Sequence, residues 1–84
     1  MNKKYFKQPS SGHYGARIYV RREFWILVQN RINPLSSWGG IDKDDGTVVA
    51  WEFRGNMERH AGAILEQCFG FTLTEDFKEI EAEV

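Results

Sequence analysis

The hydrophobic positions between residues 16 and 32 alternate with polar ones, as they do in a β-strand. β-branched and aromatic side chains favour an extended chain, but the segment is longer than a usual strand, so a break or bulge near Arg21 and Arg22 is expected. A helix over residues 21–31 is the competing interpretation, and we favour the extended one. The apolar face of the extended segment would consist of Ile18, Val20, Phe24, Ile26, Val28 and Ile32.

The segment 38–53 has the pattern of a β-hairpin. Asp45 and Gly46 form a strong turn signal, because Gly adopts a positive φ without steric cost and Asp tolerates it. The first arm covers residues 38–43. The second arm alternates so that its larger apolar side chains point inward, and these are Val49, Trp51 and Phe53.

Residues 57–69 predict a helix, since Met57, Ala61, Ile64, Leu65 and Cys68 recur at helical spacing. Asn56 is a suitable N-cap and Gly70 a suitable left-handed C-cap. Gly62 costs about 1 kcal/mol relative to Ala inside a helix, which suggests a close approach between the helix and the sheet.

The two ends of the chain are less clearly patterned. Residues 1–13 carry three lysines and end in a Pro, Ser and Gly-rich stretch, so we expect a flexible basic N-terminal arm. At the other end, apolar residues at 80, 82 and 84 alternate with glutamates as in an edge strand, whereas Thr72 and Glu75 could form the capping box of a short helix. We favour strand or irregular structure there.

These elements predict a single α+β domain. A small antiparallel sheet, built from a long strand or a strand plus helix at about 16–32 and a hairpin at about 38–53, would pack against one helix at about 57–69, with an acidic C-terminal strand or short helix. The 84 residues are 42% hydrophobic, which is enough for one core. A lone cysteine, no signal-peptide pattern and no apolar run long enough to span a bilayer lead us to expect a cytoplasmic protein without a membrane partner.

No catalytic, metal or cofactor site can be assembled from sequence motifs. His60 and Cys68 lie about 12 Å apart along one predicted helix, too far to share an ion. The acidic turn at 42–46 has its Gly at the wrong position for a calcium loop, and the glycine-flanked segment 12–15 precedes a strand where a phosphate loop needs a helix. No serine or cysteine lies in a nucleophile signature. We therefore expect a non-enzymatic binding protein without cofactors.

Charge is divided unequally along the chain. Residues 1–31 carry seven basic and one acidic side chain, and residues 32–84 carry four basic and eleven acidic ones, for a net charge of -1. On the extended interpretation, basic and aromatic side chains share one strand face, which suits phosphates and stacked bases, and nucleic-acid binding is one hypothesis. The overall pI of about 6.1 argues against it. The predicted partner-contact residues are Arg17, Tyr19, Arg21 and Trp25 of this face, together with the neighbouring Arg22.

Protein recognition is the function that we favour, because Trp, Tyr and Arg dominate the energetics of protein interfaces. The partner could be basic or nucleic-acid-handling, since the C-terminal half offers an acidic surface. Small domains of this character are common among phage- or plasmid-borne inhibitors of host defence complexes, an association of size and composition alone. A homodimer, or a purely structural subunit of a homo-oligomer, is a further alternative. The predicted acidic surface consists of Glu75, Asp76, Glu79, Glu81 and Glu83.

Overall fold

The computed structural model describes residues 3–9, 15–37, 41–43 and 46–81, with the backbone alone for 41–43. Strands and helices alternate irregularly along this part of the chain, as in the α+β class that the sequence predicts. The order is β1 Lys4–Pro9, β2 Gly15–Arg21, α1 Arg22–Ile32, a 3₁₀ turn at Asn33–Leu35, β3 Ile41–Lys43, β4 Val48–Arg54, α2 Met57–Phe69, β5 Thr72–Thr74 and α3 Lys78–Glu81.

The strands form one sheet in the order β3-β4-β2-β1-β5. Three of the pairings are antiparallel, including the predicted hairpin, in which Lys43 of β3 lies opposite Val48 of β4. The predicted antiparallel pairing holds for β1 to β4, and the sheet is mixed because β5 runs parallel to β1 at one edge. The parallel pairing arises because helix α2 returns the chain from the end of β4 to the other end of the sheet. Strand β5 therefore starts beside the beginning of β1, where the amide of Thr72 donates to the carbonyl of Lys3 at 2.8 Å.

Residues 16–32 are a strand followed by a helix, and the extended interpretation that we favoured is wrong beyond Arg21. The expected break at Arg21 and Arg22 is where α1 begins. In the helix, Phe24, Val28 and Ile32 fall four residues apart on one stripe, and all three are buried against the sheet. Helix formation therefore buries these three side chains, while Ile26 lies on the opposite side of the helix and is exposed.

The N-terminal segment is not an arm over residues 4–9, where the chain forms strand β1 in the interior of the sheet. The strand pairs with β2 on one side and β5 on the other. Its side chains reach opposite faces, since Tyr5 is buried on the α2 side and Phe6 packs on the α3 side. In the sequence, Lys4 and Lys7 obscure this alternation, because each stands next to one of the two aromatic residues.

A helix layer packs on each face of the sheet, and the two layers differ. Helices α1 and α2 cover the larger face, where the ring of Phe24 meets that of Phe71 edge to face. The short helix α3 covers the other face, where Ile80 packs on Tyr19, Val48 and Ala50. The fully buried side chains of the larger core include Ile18, Val20, Val28, Ile32, Trp51, Phe53 and Leu65.

Helix α2 has the predicted bounds, and Gly70 ends it with a φ of 75°. Two details differ from the prediction. The side chain of Asn56 makes no cap hydrogen bond, and its carbonyl accepts from the amide of Arg59 at 3.0 Å. Cys68, which the helical spacing places on the same stripe as Ala61 and Leu65 and hence towards the core, is exposed. The close approach at Gly62 is confirmed, because a Cβ there would lie 3.2 Å from the hydroxyl of Tyr5.

In the acidic C-terminal segment, Lys78–Glu81 form a helix, so the strand that we favoured is wrong over these residues. Thr72 belongs to β5 and does not cap the helix. The cap is Asp76, whose carboxylate accepts from the amide of Lys78 at 3.0 Å. Burial of Ile80 decides between the two structures, because the helix turns this side chain onto the sheet. The predicted strand residues 82–84, together with Trp38 and the hairpin tip at 44–45, lie outside the described residues.

Candidate interaction surface

The predicted contact face begins on β2, and the structure buries its aromatic member. Tyr19 is 7% exposed, and its ring makes an edge contact with Phe77 at 5.2 Å between centroids. Its hydroxyl donates to the side-chain oxygen of Gln8 at 2.9 Å. Tyr19 is therefore part of the core beneath α3, and the prediction that it offers an exposed stacking platform is wrong.

Arg21 is also buried, and its guanidinium holds α3 against the sheet. One terminal nitrogen donates to the carbonyls of Ile80 at 3.0 Å and Glu81 at 2.9 Å, and Nε donates to Glu23 at 2.7 Å. Donation to these carbonyls by a guanidinium is favourable because hydrogen bonds from a charged donor are stronger than neutral ones. Arg21 thus has a structural role where a partner contact was predicted.

Arg17 is the exposed member of the predicted face on β2. It forms an ion pair with Glu52 on the neighbouring strand, at 3.3 Å. Its pKa is raised, first by hydrogen bonding with Tyr19 and then by hydrogen bonding with Glu52. A cation that already has an anionic neighbour is a weaker phosphate ligand than a solvated one.

Arg22 and Trp25 are the two predicted contact residues that remain close together at the surface, on the first turn of α1. The guanidinium carbon of Arg22 lies 5.9 Å from the Trp25 ring centroid, within cation–π range, and Nε donates to the carbonyl of Gly46 at 2.7 Å. Trp25 is half-buried and packs against the core. Its indole nitrogen is buried without a hydrogen-bond partner among the described residues.

The outer side of α1 exposes two large aliphatic residues that the sequence interpretation missed. Ile26 is 56% exposed and Leu27 is 63% exposed. The extended interpretation assigned Ile26 to the core, but at 100° per residue it lies opposite the buried stripe. The four-residue spacing of Phe24, Val28 and Ile32 was the signal that could have revealed this. We call the outer surface the α1 face, and it consists of Glu23, Ile26, Leu27, Asn30 and Arg31, all exposed.

The residues of the predicted acidic surface differ in their surroundings. Glu79 forms an ion pair with Lys4 and accepts a hydrogen bond from the hydroxyl of Thr74. These two hydrogen bonds, with Lys4 the larger cause, lower the pKa of Glu79 below its ordinary value of 4.5. Glu75, Asp76 and Glu81 are exposed, and Glu83 lies outside the described residues.

A second group of polar side chains joins β1 to α2. The hydroxyl of Tyr5 donates to the carboxylate of Glu66, and the ammonium of Lys7 lies 3.5 Å from Glu58. The pKa of Tyr5 is raised above its ordinary value of 10.0, chiefly by burial and then by the hydrogen bond to Glu66 and the charges of Glu66 and Glu58. Gly62 lies between the two glutamates on the same helical stripe. The group fits a role in holding β1 against α2.

Within the described ranges, no three His, Cys, Asp or Glu side chains come together in a way that could hold a metal ion. No helix in the same ranges has the length and apolar character needed to cross a membrane. Comparison with protein-family models, curated proteins and solved structures finds no match to this chain. A functional proposal therefore rests on the chain's own surface, and the α1 face is its most distinctive exposed feature.

Proposed function

We propose that the protein acts by recognising another protein chain through the α1 face. The observation that carries this proposal is the pair of neighbouring aliphatic residues, Ile26 and Leu27, each more than half exposed on one side of one helix. Scattered exposed aliphatic residues are common, but two adjacent ones on the solvent side of a helix whose other side is buried form a patch.

The surroundings of the patch resemble the composition of a protein interface. Trp25 and Arg22 flank it, and both are residue types that contribute strongly to binding when a partner excludes water. Charged and polar side chains border it, namely Glu23, Asn30 and Arg31. An apolar centre with a polar rim is the usual anatomy of a recognition surface.

Nucleic-acid binding gains no support from the described residues. The hypothesis required Tyr19 and Arg21 at the surface, and both are buried. Arg17 remains exposed beside Glu52, whose carboxylate weakens the local positive potential. Inhibition of a nucleic-acid-handling complex stays a prediction about the identity of the partner.

The test is capture of a partner by the tagged protein from nuclease-treated lysate of the source organism. The lysate is treated with a crosslinker so that weak contacts survive washing. The wild type is expected to retain a protein, either another chain or an untagged copy of itself, and Leu27→Lys is expected to lose it. Met57→Lys is the matched control, since Met57 is 43% exposed on α2, outside the α1 face. Retention of the same protein by both variants would refute the proposal.

A further inference from the structure

The α1 face has a charge pattern that is complementary to itself. Glu23, Leu27 and Arg31 are spaced four residues apart and lie along one stripe of the helix. Leu27 is the midpoint, with the acidic residue about 6 Å away towards the N-terminus and the basic residue about 6 Å away towards the C-terminus. A two-fold axis passing beside Leu27 would place each Glu23 opposite Arg31 of another copy.

Both charged residues can take part in such a contact. Arg31 is exposed and makes no ion pair within the part of the chain that the structure describes. Glu23 accepts a hydrogen bond from Arg21 through one oxygen, yet its side chain is 61% exposed. A second cation can therefore approach its carboxylate from the solvent side without displacing Arg21.

We propose that the partner of the α1 face is a second copy of this chain, with the two α1 helices packed antiparallel. This inference rests on the proposed function and names the partner of the same surface. The contact is isologous, because each copy contributes the same residues. Ile26 and Leu27 of each copy cover those of the other at the centre, and two ion pairs between Glu23 and Arg31 close the ends.

The charge pattern of the α1 face favours a second copy of the chain over an unrelated partner. In the antiparallel arrangement every charged side chain of the stripe meets an opposite charge, whereas a parallel pair of α1 helices would place like charges together. One helix from each copy makes a small interface, so the dimer belongs to the weak and reversible class. We expect a dissociation constant on the order of 10 to 100 μM.

Sedimentation velocity over a concentration series tests the pairing. The wild type is expected to shift from monomer to dimer as concentration rises to about 1 mM. Leu27→Lys places two ammonium groups at the axis and is expected to weaken dimerisation at least tenfold. Met57→Lys, the matched control on α2, is expected to dimerise as the wild type does.

Charge reversal tests the orientation. Arg31→Glu places two carboxylates at each end of the interface and is expected to weaken the dimer about tenfold, as is Glu23→Lys. An equimolar mixture of the two variants restores both opposite-charge pairs and is expected to form a heterodimer at wild-type strength. Because Glu23 also accepts a hydrogen bond from Arg21, circular dichroism is used to check that both variants are folded. If Glu23→Lys is unfolded, Arg31→Glu alone tests the orientation, because a parallel pair, which already sets Arg31 against Arg31, would not be weakened by it.

The results separate this inference from the proposed function. A wild type that stays monomeric to about 1 mM overturns self-pairing. A dimer that is unaffected by Leu27→Lys also overturns it, and a mixture no stronger than its components overturns the antiparallel arrangement. The proposed function survives these results if Leu27→Lys still loses a different captured protein, and it fails if neither association depends on Leu27.

Discussion

The substitution Gly62→Ala is expected to destabilise the wild-type protein and to stabilise the Tyr5→Phe variant. Replacing Gly by Ala inside a helix stabilises it by about 1 kcal/mol through backbone entropy. The new Cβ would, however, lie 3.2 Å from the Tyr5 hydroxyl, closer than an ordinary contact. The hydroxyl has little freedom to retreat, because Tyr5 is buried and donates to Glu66.

The free energies follow from these contacts. A hydrogen bond to a charged acceptor contributes about 1.5 to 3 kcal/mol, and the exposure of Glu66 places this one at roughly 1 to 2 kcal/mol. When the new methyl group displaces the hydroxyl, the protein loses this hydrogen bond but gains the stabilisation that Ala gives a helix relative to Gly. The net effect of Gly62→Ala is a destabilisation of about 0.5 kcal/mol. In Tyr5→Phe the hydroxyl is gone and the nearest ring atom is at 3.9 Å, so the same substitution is expected to stabilise by about 1 kcal/mol.

A double-mutant cycle measured by urea denaturation checks this reasoning. The expected coupling energy between Gly62 and Tyr5 is about 1 to 2 kcal/mol. The control is Ala63→Gly, on the exposed side of α2, which is expected to cost about 1 kcal/mol in both backgrounds. If Gly62→Ala stabilises the two backgrounds equally, the Tyr5 hydroxyl does not constrain the glycine and the reasoning is refuted.

Two further predictions concern the attachment of the α3 region. Arg21→Met removes the charged hydrogen bonds to the carbonyls of α3 and is expected to destabilise the fold by about 2 to 4 kcal/mol. The control, Arg17→Met, removes an exposed ion pair and is expected to destabilise the fold by less than about 1 kcal/mol. Equal midpoints of urea unfolding for the two variants would contradict this. The pKa of Glu79 is lowered in the folded state, so its stabilising contribution is present above its ordinary value of 4.5 and is lost as pH falls through the lowered pKa. A carboxyl titration by NMR is expected to show this, and Lys4→Met is expected to raise that pKa; no change in Lys4→Met would count against the ion pair as its main cause.

Local sequence signals were sufficient for the hairpin and for α2. Gly46 at the turn and Gly70 at the helix end adopt positive φ, as the turn and C-cap patterns predict. Such features depend on residues within a few positions of each other. The inward set Val49, Trp51 and Phe53 also follows from alternation alone, and all three are buried.

The surface could not be predicted in the same way, because exposure depends on what packs above each strand face. The alternation of β2 correctly places Tyr19 and Arg21 on the side opposite Ile18, but it assumes that this side meets solvent. Helix α3, almost sixty residues later in the chain, covers it instead. The same uncertainty affected residues 22–32, whose apolar residues fit a strand in isolation and a helix when packed.

By itself, the sequence determined the α+β class, the hairpin, the bounds of α2 and the absence of an apolar segment long enough to cross a membrane. Those properties follow from composition and from short-range backbone preferences. Tertiary structure decided that residues 4–9 are an interior strand of the sheet, that Arg21 is a buried anchor, and that Ile26 and Leu27 are exposed. The reason is that the burial of a side chain is settled by contacts between distant segments, and the free energy gained from those contacts selects among local structures of similar intrinsic preference.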